Sequence, residues 1–183
     1  CAKQDHCAYL QKKFSTHWGR TDMSTQNNQT AIPDHFKLTL KPIAQPEAIV
    51  LAGKARFTVL TDRLIRLEYH PAATFEDRAS QAFWFREQPV PEFTTKITGK
   101  TVEIETSYLH LTCHDPSGDG FTPETLSIIL KDNGIVWHPG DPTDDNLLGT
   151  TRTLDFVNGY APLEPGLMSR GGWSVLDDSA TLV

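Results

Sequence analysis

Residues 55–70 read ARFTVLTDRLIRLEYH, a stretch rich in apolar and β-branched residues whose second half alternates in polarity. Every second position is apolar in Ile65, Leu67 and Tyr69, with Leu64, Arg66 and Glu68 between them. Successive side chains of a strand point to opposite faces, so a period of two predicts a strand with one face in the core. This stretch therefore predicts β-structure rather than helix.

Similar runs recur along the whole chain. They are FKLTLK (36–41), EAIVLA (47–52), AFWF (82–85), KTVEIET (100–106), YLHLTCH (108–114), TLSIIL (125–130), IVWH (135–138) and WSVLDD (173–178). Turn residues separate several of them, at positions 98–100, 115–120 and 132–134. Because no segment has the period of a long amphipathic helix, the pattern predicts an all-β, antiparallel β-sandwich.

The clearest hairpin signal is KDNGIV at residues 131–136. Asn-Gly tolerates the positive φ angles that a two-residue turn requires. We therefore expect residues 126–131 to pair with residues 135–137.

Length and composition favour one globular domain. The chain has 183 residues, of which 38% are hydrophobic and 22% are charged, and both values are ordinary for a globular domain. We interpret residues 36–183 as this domain. Residues 1–35 are polar and lack a period, which predicts a flexible segment, and residues 1–22, ahead of Met23, are a candidate for non-native sequence.

Charge and hydropathy exclude some partners. The net charge is −6, with acidic and basic residues interspersed, which disfavours nucleic acid. No apolar run reaches the roughly 18–20 residues of a membrane span, and no apolar signal core is present, so no membrane partner is expected. The three cysteines favour a reducing compartment over a disulfide scaffold, and the localisation, otherwise unknown, tends toward the cytoplasm.

Two clusters of chemically active residues predict no active site. His110 and His114 share one face of a strand while Cys113 points to the other, so a structural cysteine and exposed histidines are favoured over a zinc site. Asp177 and Asp178 are neighbours that project to opposite faces of a strand, so they cannot flank one bond. We expect no catalytic residue, no metal and no cofactor.

Arg152 and Asp155 are the candidate binding residues. They lie in TRTLD, residues 151–155, among turn residues, and loops on a rigid scaffold commonly carry binding groups. An internal Arg–Asp brace within the loop explains the pair equally well, so both interpretations stay open.

Three stretches carry a resemblance to a known family: RFTVLTDRLIRLEYHP (56–71), FEDRASQAFWFREQPVPEF (75–93) and NLLGTTRTLDFVNGYAPLEPGLMSRGGWSVLDDS (146–179). Together they resemble the N-terminal portion of glycoside hydrolase family 31, which includes α-glucosidases and α-xylosidases. The resemblance covers residues 36–183. It is most specific in the last stretch, where GTTRTLD is followed by PLEPGL and by SRGGW.

The resemblance implies a galactose-mutarotase-like N-terminal sandwich that packs on a (β/α)₈ barrel and lends a loop to its sugar pocket. The retaining carboxylate pair of the family belongs to the barrel, which takes about 250 residues and is absent from this chain. The implied partners are a carbohydrate, either an α-glucoside or an α-xyloside, and the barrel of the same full-length chain. Asp155 and Arg152 are the implied substrate-binding residues.

Further expectations accompany the resemblance. The family commonly has glycine where this chain has Leu148, and a glycine there would suit a φ angle that leucine resists. Trp173 is expected to serve the core or an interdomain contact rather than to stack on a sugar, and Trp84 and Trp137 are expected to be structural. Two alternatives to an enzyme domain stay open: a stand-alone carbohydrate-binding or regulatory module without catalysis, and an inert fragment.

Overall fold

The computed structural model describes residues 34–149, 155, 157–163 and 165–179. Its strands are β1 (Ile49–Ala52), β2 (Ala55–Thr61), β3 (Leu64–Tyr69), β4 (Phe93–Thr98), β5 (Thr101–Thr106), β6 (Leu109–His114), β7 (Leu126–Leu130) and β8 (Val136–Trp137). Two short 3-10 turns, Asp34–Phe36 and Pro46–Ala48, are the only helical elements in these described ranges. No described helix has the length and apolar character needed to cross a membrane. The predicted flexible segment 1–35 and its subdivision at residue 22 fall almost wholly outside the described residues.

The strands form two antiparallel sheets. The smaller sheet has the order β1-β2-β3, and the larger has the order β4-β5-β6-β7-β8. Within each sheet every strand pairs with the next one along the chain, and only the connection from β3 to β4 passes from one sheet to the other. The prediction of an all-β, antiparallel, sandwich-like fold is confirmed.

The apolar core is formed by side chains of both sheets. Its fully buried members are Ala55, Phe57 and Val59 of β2, Val102 and Ile104 of β5, Leu111 and Cys113 of β6, and Leu126 of β7. Partly buried residues from the flanking strands, among them Ile65 and Leu67 of β3, pack against this cluster. The period of two in residues 64–69 therefore identifies the core face of β3 correctly.

The opposite face of β2 is also buried. Arg56 and Glu68 are direct cross-strand partners, and their side chains are each only 8% exposed. Arg56 Nε donates to Glu68 Oε2 at 2.6 Å, and Arg56 Nη2 donates to Glu68 Oε1 at 3.0 Å. Arg66 Nη2 approaches the same Oε1 at 2.9 Å. This bidentate pair replaces the water that the polar face of a half-buried strand would have contacted.

Residues 71–88, here called the cover segment, lie over this polar face. The backbone carbonyl of Glu76 accepts hydrogen bonds from Arg56 Nη2 at 2.9 Å and from Arg66 Nη2 at 3.0 Å. Asp77 Oδ1 accepts a third from Arg56 Nη1 at 2.7 Å. Two buried arginines thus hold an irregular segment against the sheet.

The pKa values of the two arginines differ in direction. Burial lowers the pKa of Arg56, but hydrogen bonds and charges from Glu68 and Asp77 outweigh it, so its pKa is raised. Burial also lowers the pKa of Arg66, and there it prevails over the attraction of Glu68, with the positive charge of Arg86 adding to the effect. Glu68 is therefore the negative charge on which this cluster depends.

The hairpin at residues 126–137 forms, but its turn differs from the prediction. Ile128 pairs with Trp137 and Ile129 with Val136, as expected. The last paired residues are Leu130 and Ile135, so the loop has four residues rather than two. Gly134 has a φ of 73°, whereas Asn133 does not have a positive φ. Asn133 instead caps the turn, because its Oδ1 accepts the Ile135 amide at 3.0 Å.

Three predicted strands are wrong, and one strand went unpredicted. At most a single bridging residue is present in each of the segments 36–41, 82–85 and 173–178. An alternating sequence forms a strand only where a neighbouring strand is available for pairing. Phe36 and Leu38 are 67% and 58% exposed as a result. The unpredicted strand is β4, an edge strand whose side chains are exposed from Thr94 onward and therefore show little apolar pattern.

Replacement of Glu68 by glutamine tests the buried charge cluster. Glu68→Gln removes the countercharge of two buried arginines, so we expect the free energy of unfolding to fall by about 3–5 kcal/mol. The measurement is urea denaturation followed by circular dichroism. Glu103→Gln is the matched control, because the Lys96–Glu103 pair lies at the surface and spans 3.7 Å. We expect a change below about 0.5 kcal/mol there, and equal losses in the two variants would contradict the assignment.

Candidate functional site

In the sequence, Arg152 and Asp155 fall between two segments, 145–148 and 166–170, that contact each other in the structure. Asp155 lies in a turn and is exposed. Arg152 lies outside the described residues, and its relation to Asp155 is therefore not described. The Arg152–Asp155 brace and the substrate contact both remain predictions.

Asn146 closes the base of this loop with its side-chain amide. Asn146 Oδ1 accepts the Leu148 amide at 2.8 Å and the Gly166 amide at 2.8 Å. Asn146 Nδ2 donates to the Gly166 carbonyl at 2.9 Å. One side chain therefore satisfies three backbone groups from the two ends of the loop, as a paired strand would.

Backbone contacts on either side of Asn146 also join the two segments. Asn146 and Ser169 form an antiparallel bridge, and the Met168 carbonyl accepts the Leu147 amide at 2.9 Å. The Asp145 carbonyl accepts the Arg170 amide at 2.9 Å. The segments 145–148 and 166–170 are thus fixed side by side, and together they are called the loop base.

The loop base requires unusual backbone at two positions. Leu148 has a φ of 63°, a left-handed conformation that costs an L-residue roughly 1–2 kcal/mol. This agrees with the expectation that glycine suits the position better. At Gly166 an added Cβ would lie 2.5 Å from the Leu148 carbonyl oxygen. Only a glycine at position 166 allows the two ends to approach this closely.

The segment after the loop is held against β8 by side chains. Ser169 Oγ donates to the Trp173 carbonyl and accepts the Trp173 amide at 3.1 Å. The Trp173 and Trp137 rings lie 6.5 Å apart between centroids, in a tilted arrangement. Asn133 Nδ2 also donates to the Gly171 carbonyl at 3.5 Å. Trp173 is half-buried in these contacts, in agreement with the structural role expected for it.

Asp177 and Asp178 serve different partners. Asp177 Oδ1 accepts the amide and the hydroxyl of Ser179 in an exposed turn. Asp178 Oδ2 accepts the Ser80 hydroxyl at 2.6 Å and lies 3.5 Å from Nη2 of the buried Arg86. The two carboxylates contact different groups, although residues 173–178 do not form the strand on which the sequence argument relied.

The contact between Asp178, Ser80 and Arg86, called the Asp178 latch, has no signal in the sequence. Ser80 is fully buried and Arg86 is 2% exposed. Arginine is almost never buried unless it is paired, and Asp178 supplies the paired charge here. Arg86 Nη1 donates to the Arg78 carbonyl at 2.8 Å, and Arg86 Nε has no hydrogen-bond partner in the part of the chain described. The latch joins the C-terminal segment to the cover segment.

The residues His110, Cys113 and His114 do not converge on one point. Cys113 is 1% exposed within the core, and burial raises the pKa of its thiol to about 11. The thiol is therefore protonated at neutral pH and is a poor nucleophile or metal ligand. His114 is exposed, and its Nδ1 lies 3.0 Å from Thr101 Oγ1. Among the described residues, no group of three or more His, Cys, Asp or Glu side chains could hold a metal ion.

The loop base carries exposed apolar side chains. Leu147, Leu148, Leu167 and Met168 are 50%, 46%, 72% and 68% exposed. The Leu147–Met168 hydrogen bond and the Leu148–Gly166 approach bring their backbones together. Single exposed apolar residues are common, whereas exposed apolar residues on adjoining segments make this place a candidate interaction surface.

Comparison of the chain with models of protein families gives no match, and comparison with curated proteins gives no relative.

Two substitutions at the loop base are expected to change stability in opposite directions. Gly166→Ala places a methyl group against the Leu148 carbonyl, so we expect a loss of about 1–3 kcal/mol. Leu148→Gly relieves the strain of the left-handed backbone, but glycine also has more backbone entropy to lose on folding. The free energy of unfolding is therefore expected to rise by at most about 1 kcal/mol. Thermal unfolding measures both changes.

Limited proteolysis locates the effect of Gly166→Ala. Trypsin cleavage after Arg152, followed by mass spectrometry, is expected to be faster in Gly166→Ala than in the parent protein. Leu167→Ala is the control, because its side chain is mostly exposed and its loss leaves the base closed. If Gly166→Ala matches Leu167→Ala in stability and in cleavage, the loop base does not have the proposed role.

Proposed function

We propose that this chain is the non-catalytic N-terminal domain of a retaining α-glycosidase of the glycoside hydrolase family 31 type. In this proposal it packs on a catalytic barrel of the same full-length chain and contributes the loop with Arg152 and Asp155 to the sugar pocket. The single observation that carries the proposal is the group of exposed apolar side chains at the closed base of that loop. A covering domain at this place would bury Leu147, Leu148, Leu167 and Met168 and bring the loop to its surface.

Several other features support an accessory rather than a catalytic role. Asp177 and Asp178 contact different groups, and the thiol of Cys113 is buried and protonated. The antiparallel sandwich-like fold agrees with the architecture that the resemblance implies. The reaction is therefore assigned to carboxylates of the barrel, which in retaining enzymes lie about 5 Å apart.

Asp155 has the chemistry to recognise a sugar. A carboxylate accepts hydrogen bonds from hydroxyl groups, and these bonds strengthen when a covering domain excludes water. The fixed loop base reduces the entropy that would be lost on ordering the loop around a ligand. The substrate class in this proposal is an α-glucoside or an α-xyloside.

The alternative is a stand-alone carbohydrate-binding or regulatory module. The observation that favours it is Tyr160, an aromatic residue in the same loop with 78% exposure. Such a ring is able to stack on a sugar without a barrel. Sequencing the transcript distinguishes the two proposals. An enzyme domain requires a reading frame that continues past Val183 into about 250 barrel residues.

Asp155→Ala in the full-length protein tests the role of the loop. Loss of a hydrogen bond to a charged group costs about 1.5–3 kcal/mol, so we expect kcat/KM for an aryl α-glucoside or α-xyloside to fall roughly 10- to 100-fold. The domain is expected to stay folded, because Asp155 is exposed.

Asp119→Ala provides the matched control, since Asp119 is an exposed loop carboxylate between β6 and β7. We expect its kcat/KM to equal that of the parent enzyme, and we expect residues 1–183 alone to show no hydrolysis. Turnover by the isolated chain would contradict the proposal. Equal kcat/KM in Asp155→Ala and the parent would remove Asp155 from the pocket.

A further inference from the structure

The cover segment presents an aromatic surface that the proposed function does not use. Gln81, Ala82, Phe83, Trp84, Phe85 and Gln88 line an open depression of about 500 Å³, called the aromatic platform. Trp84 is 37% exposed and Phe85 is 52% exposed, although Trp84 was expected to be structural. The depression is shallow and open, so it would cover one face of a ligand rather than enclose it.

The backbone beneath the platform is fixed on both sides. The Trp84 carbonyl accepts the Lys41 amide at 2.9 Å, and the Lys41 carbonyl accepts the Arg86 amide at 2.7 Å. Ser80 and Phe83 exchange backbone hydrogen bonds at 3.2 and 3.3 Å. The buried Ser80 and Arg86 side chains anchor the two ends through the Asp178 latch. The aromatic rings are therefore displayed by a pinned segment rather than by a free loop.

The polar groups at the platform are amides. Gln88 Nε2 donates to the Phe85 carbonyl at 3.0 Å, which holds this side chain beside the aromatic residues. Gln81 is exposed at the same depression. An amide both donates and accepts hydrogen bonds, which matches the hydroxyl groups of a sugar.

The platform is electrically neutral. None of the six lining residues is ionisable, and the adjacent Glu87 is paired with Lys41 at 2.8 Å. A charged ligand would find no countercharge in the lining. An uncharged ligand with apolar C–H faces and peripheral hydroxyl groups fits both the rings and the amides, because the faces of aromatic rings carry partial negative charge and attract polarised C–H groups.

We infer that the aromatic platform is a second carbohydrate-binding site, specific for neutral pyranose chains and separate from the Asp155 loop. The choice of α-linked glucose units as the ligand rests on the proposed function. An open site that covers one face of a sugar is expected to bind weakly, with a dissociation constant of about 1 mM. It would hold a chain near the enzyme rather than orient a bond for cleavage.

An NMR titration of residues 1–183 with maltotriose tests this inference. The chain contains four tryptophans, and their indole Nε1–H signals are assigned by single Trp→Phe substitutions. We expect the Trp84 indole signal to shift and saturate at millimolar maltotriose. We expect Trp84→Ala, and independently Phe85→Ala, to weaken binding at least 10-fold, as measured on the backbone amide signals of residues 81–88, while the rest of the backbone spectrum stays folded.

Two controls separate this site from others. Phe36→Ala removes an aromatic side chain that is 67% exposed outside the platform, and Asp155→Ala removes the loop carboxylate. We expect both to leave the maltotriose titration unchanged, so failure of the proposed loop function would not alter this result. A Trp84 signal that does not move at 50 mM maltotriose would overturn the inference. So would a shift that depends on protein concentration alone, because that result would identify the platform as a self-association surface.

Discussion

The bidentate contact between Arg56 and Glu68 is the interaction on which the rest of the structure depends. β2 is the central strand of the smaller sheet, and its core face is filled by Phe57 and Val59. Its other face carries a buried arginine that needs both a countercharge and hydrogen-bond acceptors. Glu68 supplies the charge, and the Glu76 carbonyl and Asp77 supply further acceptors. An irregular cover segment is thereby fixed without a strand or a helix.

A buried arginine with an acidic partner also fixes the C-terminal segment. Arg86 lies in the cover segment close enough to Arg66 for the positive charge of one to lower the pKa of the other. Asp178 brings a carboxylate to Arg86 and Ser80, and so a segment distant in sequence is attached to the cover segment. The aromatic platform lies between these anchors, whereas the loop base is closed by Asn146. The two proposed carbohydrate surfaces therefore depend on different parts of the polar framework.

The sequence predicts the core well because core residues follow the geometry of strands. The alternation at Ile65, Leu67 and Tyr69 identifies the inner face of β3, and the turns at residues 98–100 and 115–120 lie where expected. The same pattern suggests a solvent-facing side for Arg66 and Glu68, which is wrong, because a period of two gives no information on the following segment that covers this face. Residues 173–178 fail as a strand for a related reason, since no described strand pairs with them.

The candidate site was predictable only in part. The strain at Leu148 could be anticipated, because the family that the chain resembles commonly has glycine at this position. The structure gives Leu148 a positive φ, as that expectation requires. The role of Asn146 depends on Gly166, and the role of Asp178 depends on Ser80. Each of these contacts joins residues whose spacing carries no local signal.

Hydrogen–deuterium exchange of Asp178→Asn tests most directly the claim that buried charge fixes the irregular segments. The substitution preserves shape and removes one charge from the latch to Ser80 and Arg86. The account predicts faster exchange in peptides covering residues 78–88 and 172–179, with β5 and β6 unchanged. Exchange that is unchanged in both segments, or that rises equally in β5 and β6, would contradict it.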